Sequence, residues 1–296
     1  MVKERIKIGV CCTCHNRIEK TISCLESLYN QKALSTGKYD LSVFLCDDGS
    51  TDATAFEVQR RFPEVHIIHG NGNLYWARGM GIAFSASKEV DPDFFLMIND
   101  DVVFNDNMLD LMLNSYSAAV KENNLVSVVG SFRDSKTNDW SYGGMAWNKR
   151  LYKDVKSVVY PKSPFVKCDL ANWNCFLLPA KLAERVGGIE TIYSHAMADY
   201  DYSIRIRKSG GQIVVASDYV GTCSRNSIIG TWQDVSIPLM KRYELLHNRT
   251  ARPAKSYAFY CKVAYGKTWW YWFCIQYIWI AKTSLQYRIG KTTKSI

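Results

Sequence analysis

The first 100 residues alternate short apolar runs with segments that carry apolar residues at helical spacing. "IKIGVCC" (6–12) and "LSVFLC" (41–46) are continuous and partly β-branched. Between them apolar residues recur every three or four positions, as at Ile18 and Ile22, which predicts a helix. Similar units follow as far as "DFFLMIND" (93–100). Repeated strand–helix units with buried strands predict a doubly wound α/β sheet, which binds ligands beyond the carboxyl ends of its strands.

The second half of the chain has a looser pattern. Residues 134–164 contain Gly, Trp and Tyr without regular spacing, so we expect an irregular stretch there. Beyond residue 231 the sequence becomes helical and aromatic, and residues 268–281 are its most hydrophobic segment. We therefore expect a main domain over residues 1–230 and a helical, basic and aromatic extension over residues 231–296.

Net charge is +9, and the excess lies at the C-terminal end. From Lys241 onward there are eleven Lys and Arg residues against one acid, Glu244, whereas residues 1–240 carry 26 basic and 27 acidic groups. This distribution argues against a nucleic-acid-binding body and favours a surface or partner that only the tail touches. The run at 268–281 is too short to span a bilayer, but its Trp and Tyr residues suit an interfacial helix. Peripheral membrane contact or a homodimer through residues 253–296, and packing on the main domain, all stay open.

Cysteine usage and the N-terminal segment indicate the cellular compartment. Ten cysteines in 296 residues are sparse, and five lie in or beside apolar runs near the N-terminus, so we expect reduced thiols in a cytosolic protein. The opening "MVKERIKIGV" lacks the apolar core of a signal peptide. "CCTCH" (11–15) suggests zinc, but no second Cys or His pair follows at finger-like spacing.

Acidic residues interrupt the pattern at three places. "CDDGSTD" (46–52) ends a strand, and "NDDV" (99–102) breaks an apolar run. Each alone is compatible with a capped turn or a solvated strand end. Unpaired buried carboxylates are costly, however, and oxygen ligands suit a hard divalent cation, so the two together predict a metal site. "MADYDYSIRIRKSGG" (197–211) places two further acids at the start of a helix, where capping accounts for one of them.

Five motifs occur in order between residues 6 and 215. They are "VCCTCHNR", "CDDGSTD", "GNLYWARGMGIAF", "INDDV", and "ANWNCFLLPAKLAERVGGI" followed by "ADYDYSIRIRKSGG". Together they resemble the motifs of family 2 glycosyltransferases, close to bacterial rhamnosyltransferase-like and polysaccharide-building members. The resemblance implies an α/β GT-A fold, a Rossmann-like, doubly wound mixed sheet with a C-terminal helical aromatic extension. It also implies a nucleotide-sugar-binding half over residues 1–125 and an acceptor-binding half over residues 126–230.

The resemblance assigns roles by position. Contacts to the nucleotide sugar are implied for Thr13, Asn16, Arg17, Asp47, Asn73, Trp76, Arg78, Asn99 and Asp100. Within this set Asp47 faces a uracil or thymine ring, and Arg78 is placed on the diphosphate by its charge alone. Acceptor contacts are implied for Trp173, Asn174 and Asp201. Asp101 is expected to hold a divalent cation, Mg²⁺ or Mn²⁺, and Asp199 to act as the general base.

The chain departs from the family pattern at three positions. Trp173 stands where the family often has Gly, and Ala198 replaces a usual Glu. Cys223 lies near the position of a His that often binds the metal, and neither His195 nor His247 matches that position well. We expect Trp173 to reshape the acceptor pocket, since sugars stack on aromatic rings.

The resemblance implies an inverting hexosyltransferase that moves a sugar from a UDP- or dTDP-linked donor to a hydroxyl of a glycan or lipid-linked acceptor. The expected setting is bacterial cell-surface polysaccharide synthesis at the cytoplasmic face of the inner membrane. Two alternatives stay open. A sugar nucleotidyltransferase needs a glycine-rich phosphate loop after the first strand, and "CTCHNR" contains no glycine. A non-catalytic carbohydrate-binding protein is supported by nine Trp and eighteen Tyr residues, but it does not require Asp47, Asp101 and Asp199 together.

Overall fold

The first half of the chain alternates strands and helices, as its sequence predicts. A computed structural model describes residues 5–150 and 153–293. The elements run β1 (Ile6–Cys14), α1 (Ile18–Tyr29), β2 (Tyr39–Asp47), α2 (Thr54–Arg61), β3 (His66–His69), α3 (Tyr75–Ala86), β4 (Phe94–Ile98), β5 (Val103–Phe104) and α4 (Met108–Ala119). Short 3₁₀ helices occupy Lys32–Thr36 and Ser87–Val90. Every residue of β4 is buried, as expected for a strand with helices on both faces.

The second half contains more regular structure than its sequence predicts. Its elements are β6 (Val126–Arg133), β7 (Trp140–Tyr142), β8 (Gly144–Arg150), β9 (Lys153–Val158), β10 (Val166–Cys168), β11 (Leu170–Ala171), β12 (Cys175–Pro179), α5 (Ala180–Val186), α6 (Ala198–Lys208) and β13 (Gln212–Thr222). The prediction that residues 134–164 are irregular is wrong, because β7, β8 and β9 lie there. Tertiary pairing stabilises them, since β8 forms a small sheet in the order β11–β8–β9.

The main sheet is mixed, and its order is β10–β13–β6–β12–β4–β1–β2–β3. β5 pairs with β13, and β7 pairs with β6. Neighbours among β3, β2, β1 and β4 are parallel, whereas β12 is antiparallel to both β4 and β6. The crossovers through α1, α2 and α3 connect the parallel strands. The predicted α/β class with a mixed sheet is therefore confirmed.

Helices cover both faces of the sheet. On one face Leu25 of α1 and Met112 of α4 are part of one apolar cluster. On the other face Met80 of α3, Leu182 of α5 and Ile206 of α6 are part of a second cluster. Burying each such side chain stabilises the fold by about 1.5–3 kcal/mol, so the sheet is held rigidly between two layers.

Within the described residues three α-helices follow the sheet, α7 (Leu239–Leu246), α8 (Ala254–Tyr265) and α9 (Trp269–Thr293), and a short 3₁₀ helix, Gly266–Thr268, joins the last two. Tyr257 and Tyr260 of α8 and Trp272 of α9 share an apolar cluster with Trp147 of β8 and Ile204 of α6. The helical, aromatic extension is thus present, and its first part packs on the rest of the chain.

Farther along, α9 keeps large apolar side chains in contact with solvent. Trp270, Ile278, Leu285 and Ile289 are each more than half exposed. Within residues 5–150 and 153–293, the helices lack the combination of length and apolar character that crossing a membrane requires. All ten cysteines are free thiols, and all except Cys274 are buried.

Candidate active site

The carboxyl ends of three adjacent parallel strands carry the polar motifs. β1 ends at Cys14, β2 at Asp47 and β4 at Ile98, and Cys14 lies opposite Asp47 in the sheet. The three loops that follow these strands therefore leave the same edge. Open α/β sheets bind their ligands at this edge, so the candidate site lies at the edge that the sequence predicts.

Arg17 joins the two carboxylates of the loop after β4. Its Nη1 atom donates hydrogen bonds to Asp100 Oδ1 and Asp101 Oδ2, each at 3.1 Å, and Lys20 Nζ lies 4.0 Å from Asp101 Oδ2. Burial raises the pKa of the Asp100 carboxyl to about 6, although Arg17 acts in the opposite direction. Asp100 Oδ2 is buried and has no hydrogen-bond partner among the described residues. This edge therefore contains two adjacent carboxylates that one guanidinium bridges, and one of their oxygens, Asp100 Oδ2, is left without a partner among the described residues.

Asp199 lies in the first turn of α6. Its Oδ1 accepts a hydrogen bond from the backbone N–H of Tyr200 at 2.8 Å, and its Oδ2 accepts a weak one from Asn172 Nδ2 at 3.4 Å. Burial raises the pKa of the Asp199 carboxyl to about 6, and these hydrogen bonds lower it by a smaller amount. A carboxyl whose pKa lies close to neutral pH is suited to accept a proton during a reaction.

A cavity of about 200 Å³, here called the acidic cavity, contains Asp100, Asp101 and Asp199. Its other lining residues are Arg17, Trp76, Asn99, Tyr142, Asn172, Trp173, Asn174, His195, Ala196 and Asn226. Trp76 Nε1 donates a hydrogen bond to Asn99 Oδ1 at 2.8 Å, which ties α3 to the loop after β4. The structure thus brings the predicted base and the predicted metal ligand to one cavity.

A second cavity of about 340 Å³, here called the edge cavity, adjoins the first. Four residues line both cavities, namely Arg17, Trp76, Asp100 and His195. The edge cavity is also lined by Thr13, Cys14, His15, Asp48, Gly72, Tyr75 and Thr250. Thr13 therefore lies where the sequence predicts a ligand contact.

Comparison with protein families identifies the chain. The model of glycosyl transferase family 2 matches residues 10–172, more than half of the sequence. The chain belongs to this family. The resemblance drawn from the motifs is thus confirmed at the level of the family. A search of curated proteins found no match.

Solved structures support the fold of this family 2 glycosyltransferase. The chain is similar to the crystal structure of GalNAc-T7 with UDP, GalNAc and Mn²⁺, with a TM-score of 0.59 and 11% sequence identity. The similar region covers 93% of this chain and 57% of that chain, so this chain spans little more than half of its length. At this identity the likeness shows the fold alone, and it confirms the GT-A-like architecture.

Asp48, rather than Asp47, lines the edge cavity. The Asp48 carboxylate accepts hydrogen bonds from three backbone N–H groups, those of Gly72, Leu74 and Tyr75, at 2.8, 2.9 and 2.8 Å. Asp47 is only 2% exposed, and its Oδ1 accepts a hydrogen bond from the backbone N–H of the following turn at 3.0 Å. Successive residues point in opposite directions at a strand end, so only one of the two can face the cavity. The contact predicted between Asp47 and a nucleobase is not supported by this placement.

Four other predicted contacts lie outside the acidic and edge cavities, namely Asn16, Asn73, Arg78 and Asp201. Asn16 Oδ1 accepts a hydrogen bond from the backbone N–H of Thr51 in the neighbouring loop, and the backbone N–H of Asn73 donates to Asn71 Oδ1 within its own loop. Arg78 Nε donates to the carbonyl oxygen of Thr191 at 3.1 Å. Asp201 is 0% exposed and pairs with Arg205 Nε at 2.8 Å. An acceptor contact by Asp201 is incompatible with this burial. Asp199 and Asp201 are two residues apart and therefore point to opposite sides of α6, so Asp199 lines the acidic cavity and Asp201 does not.

The two remaining acceptor-side predictions, Trp173 and Asn174, line the acidic cavity. Trp173 is 1% exposed, and its ring stacks on Phe176 with a centroid distance of 5.5 Å. One face of the Trp173 ring is therefore covered, and sugar stacking on an open ring is not supported. Asn174 Nδ2 donates to Cys223 Sγ at 3.4 Å.

His195 lines both cavities, which the sequence analysis did not predict. Its ring meets Trp76 edge-on at a centroid distance of 6.3 Å. Burial lowers the pKa of His195, and Arg17 lowers it further, so the imidazole is neutral at pH 7. Asn172 was also missed as a site residue. The sequence contains one signal for both residues, which is that each lies close to a predicted site residue. His195 lies four residues before Asp199, and Asn172 directly precedes Trp173.

The acidic cavity suits a divalent cation that is shared with a ligand. Among the described residues, no group of three or more His, Cys, Asp or Glu side chains could hold a metal by itself. Cys223 Sγ lies 3.8 Å from Asp101 Oδ1, but burial raises the pKa of this thiol to about 12, and a neutral thiol is a poor ligand for a hard cation. The carboxylates of Asp100 and Asp101 remain, including the unpaired Asp100 Oδ2. Mg²⁺ often takes one or two carboxylates from the protein and the rest from substrate phosphates, so these residues fit.

Proposed function

We propose that this family 2 glycosyltransferase is an inverting hexosyltransferase. The donor is a UDP- or dTDP-linked sugar, and the acceptor is a hydroxyl of a glycan or of a lipid-linked sugar. One observation supports the proposal above all: Asp199 and the Asp100–Asp101 pair, about 100 residues apart in sequence, line a single cavity. Direct displacement needs a base for the acceptor and a separate site for the departing diphosphate, and this cavity contains candidates for both.

Asp199 is the proposed general base. It takes the proton of the acceptor hydroxyl while that oxygen forms a bond to the anomeric carbon. The bond between the anomeric carbon and the diphosphate oxygen breaks, and its electron pair leaves with the nucleoside diphosphate. A single displacement of this kind inverts the anomeric configuration. Hydrogen bonds from Asn172 and from the Tyr200 backbone orient the carboxylate.

The edge cavity is the proposed site of the nucleotide. Thr13 and Trp76 line it, and Arg17 stands between it and the acidic cavity, where a guanidinium can bind phosphate oxygens. The similar structure of GalNAc-T7 contains UDP, GalNAc and Mn²⁺, which supports a nucleotide sugar and a divalent cation here. Asp101, assisted by Asp100, would hold Mg²⁺ or Mn²⁺. When bound, such a cation neutralises charge on the diphosphate leaving group.

The proposed setting is bacterial cell-surface polysaccharide synthesis, with the enzyme peripheral at the inner face of the cytoplasmic membrane. The basic tail and the exposed Trp270 and Ile278 of α9 support contact with an anionic surface. A homodimer through residues 253–296 uses the same side chains and stays an alternative. Family membership favours sugar transfer over a nucleotidyltransferase or a non-catalytic carbohydrate-binding protein.

The decisive experiment compares Asp199→Asn with the wild-type protein. Hydrolysis of a panel of UDP, dTDP and GDP sugars identifies the donor, and calorimetry measures binding of the corresponding nucleoside diphosphate. We expect Asp199→Asn to lose at least about a hundredfold in turnover, the usual contribution of a general base, while nucleotide affinity stays within twofold. Asp139→Asn, an exposed substitution outside the cavities, is the matched control. Wild-type turnover in Asp199→Asn would refute the base assignment.

A further inference from the structure

A larger cavity lies beside the segment that carries Asp199. It measures about 550 Å³ and lies between α8, α9, β9 and the start of α6. Aromatic side chains supply much of its wall, among them Tyr200, Trp232, Tyr257, Tyr260, Trp272 and Trp279. We call it the aromatic cavity. Trp272 and Trp279 belong to the hydrophobic run at 268–281, and Tyr257 and Tyr260 also lie within residues 253–296, the segment considered above for membrane contact or dimerisation.

The aromatic cavity and the acidic cavity share one turn of backbone as a wall. Ala196 and Asp199 line the acidic cavity, whereas Met197 and Tyr200 line the aromatic cavity. The proposed base is therefore flanked in sequence by residues that face the second space. A ligand bound in the aromatic cavity lies next to the helix turn that positions the base.

Two buried polar side chains of the aromatic cavity have unused hydrogen-bonding capacity. Gln276 is 4% exposed, and neither its Oε1 nor its Nε2 has a hydrogen-bond partner among the described residues. The hydroxyl of Tyr260, a residue that is 2% exposed, likewise has none there. Buried polar atoms are normally paired, so these groups point to a ligand that supplies both donors and acceptors. A hydrocarbon chain cannot satisfy them.

The charged groups of the aromatic cavity are already engaged. Lys156 Nζ lies 2.7 Å from Asp154 Oδ2. The Arg252 guanidinium lies 4.8 Å from the ring centre of Trp232 and 4.9 Å from that of Tyr257. The cavity therefore combines aromatic faces and neutral hydrogen-bonding groups with one ion pair and one further cation, Arg252, which lies against two rings. This chemistry matches a sugar ring, which has an apolar C–H face and hydroxyls that both donate and accept hydrogen bonds.

We propose that the aromatic cavity binds a saccharide unit of the acceptor. The sugar ring packs on the aromatic side chains, and its hydroxyls hydrogen bond to Gln276 and Tyr260. The inference rests on the proposed function, because the bound saccharide is part of the acceptor whose hydroxyl is deprotonated by the proposed base, Asp199. It places acceptor recognition on α8 and α9 and not on Asp201.

The test measures saccharide binding without any nucleotide sugar. Full-length wild-type protein, Gln276→Leu, Tyr260→Phe and the control Gln286→Leu are applied to a glycan array, and each hit is titrated by intrinsic tryptophan fluorescence. Gln286 is exposed on the same helix and does not line the cavity. We expect Gln276→Leu to weaken binding at least tenfold, Tyr260→Phe at least threefold, and Gln286→Leu less than twofold.

Melting temperatures separate a ligand role from a structural one. If Gln276 serves a ligand, leucine removes unpaired buried atoms, and the melting temperature of Gln276→Leu stays equal or rises. If Gln276→Leu does not fold, Tyr260→Phe provides the same comparison. A lower melting temperature with unchanged saccharide affinity would overturn the inference.

Two further results would also overturn it. One is the absence of wild-type binding to every glycan on the array. The other is binding to vesicles that contain polyprenyl phosphate, sensitive to Gln276→Leu, with glycan binding insensitive to it. Saccharide binding that depends on Gln276, in a protein that hydrolyses none of the UDP, dTDP or GDP sugars, would refute the proposed function and leave the saccharide site standing.

Discussion

The raised pKa of Asp199 predicts a specific pH dependence. Its carboxyl has a pKa of about 6 because it is buried, and a base must be ionised to take a proton. Ionisation, and with it kcat/KM, therefore increases as the pH rises through about 6 and is lost below. About nine tenths of the Asp199 carboxyls are ionised at pH 7 and about one tenth at pH 5, so we expect roughly a tenfold lower rate at pH 5.

Asn172→Ala tests whether this carboxyl sets the midpoint. Asn172 Nδ2 donates to Asp199 Oδ2 at 3.4 Å and so favours the ionised form. The bond is long, so we assign it about 1 kcal/mol, below the usual range for a hydrogen bond to a charged group, and its loss raises the pKa by about 0.7. The rate should then fall about fourfold at pH 5.5 but less than about twofold at pH 7.

The assay is release of nucleoside diphosphate from the donor between pH 5 and 8.5 at constant ionic strength. Asn226→Ala is the matched control, because Asn226 lines the same cavity and is not among the hydrogen-bond partners described for the Asp199 carboxylate. The other titratable or charged side chains that line the cavity are Arg17, Asp100, Asp101, Tyr142 and His195. Both variants keep these groups, so the difference in midpoint isolates Asp199. Equal midpoints in Asn172→Ala and Asn226→Ala, or a wild-type midpoint near pH 4, would refute the reasoning.

Three further predictions concern the metal, the buried ion pair and α9. Asp101→Ala should weaken UDP binding at least about tenfold in Mn²⁺ and little in EDTA, as measured by calorimetry, because it removes the proposed metal ligand; equal affinities in all conditions would exclude this role. Asp201→Ala should lower the free energy of unfolding, measured by urea denaturation, by about 3 kcal/mol, since it removes the one carboxylate that pairs with the partly buried Arg205 among the described residues, while Arg205 keeps its hydrogen bonds to two backbone carbonyls; a loss below about 1 kcal/mol would contradict a structural ion pair. Trp270→Asp and Ile278→Asp should each reduce cosedimentation with anionic vesicles at least threefold, because both side chains are exposed on α9; absence of wild-type binding would rule out membrane contact.

The parallel part of the sheet and its polar edge could be predicted because both depend on local sequence. All five residues of β4 are buried, and the polar residues 99–101 follow directly. Parallel strands end at one edge of the sheet. This rule alone places the loop after β4 near the loops after β1 and β2. Local sequence was therefore sufficient to place the candidate site at this edge.

Other features depend on partners that are distant in sequence. β8 pairs with β9 but also with β11, where Met145 lies opposite Leu170. Spacing within residues 134–164 does not contain this information, so the small sheet could not be predicted. Which of Asp47 and Asp48 faces the edge cavity could not be predicted either. A shift of one residue in the strand register turns each side chain to the other side of the sheet, and the register depends on the neighbouring strands. The aromatic cavity also required the placement of α8 and α9 around one space with β9 and the start of α6.

Asp199 and Asp201 show why a motif position does not by itself define a base. Both acids lie in the first turn of α6, and burial raises the pKa of both carboxyls. Because they are two residues apart, the helix directs them to opposite sides. Asp201 meets Arg205 in a buried pair, whereas Asp199 lines a cavity that a hydroxyl can enter. A base needs both a raised pKa and access to a proton donor, and access is decided by the packing of α6, which lies outside the segment that the family model matches.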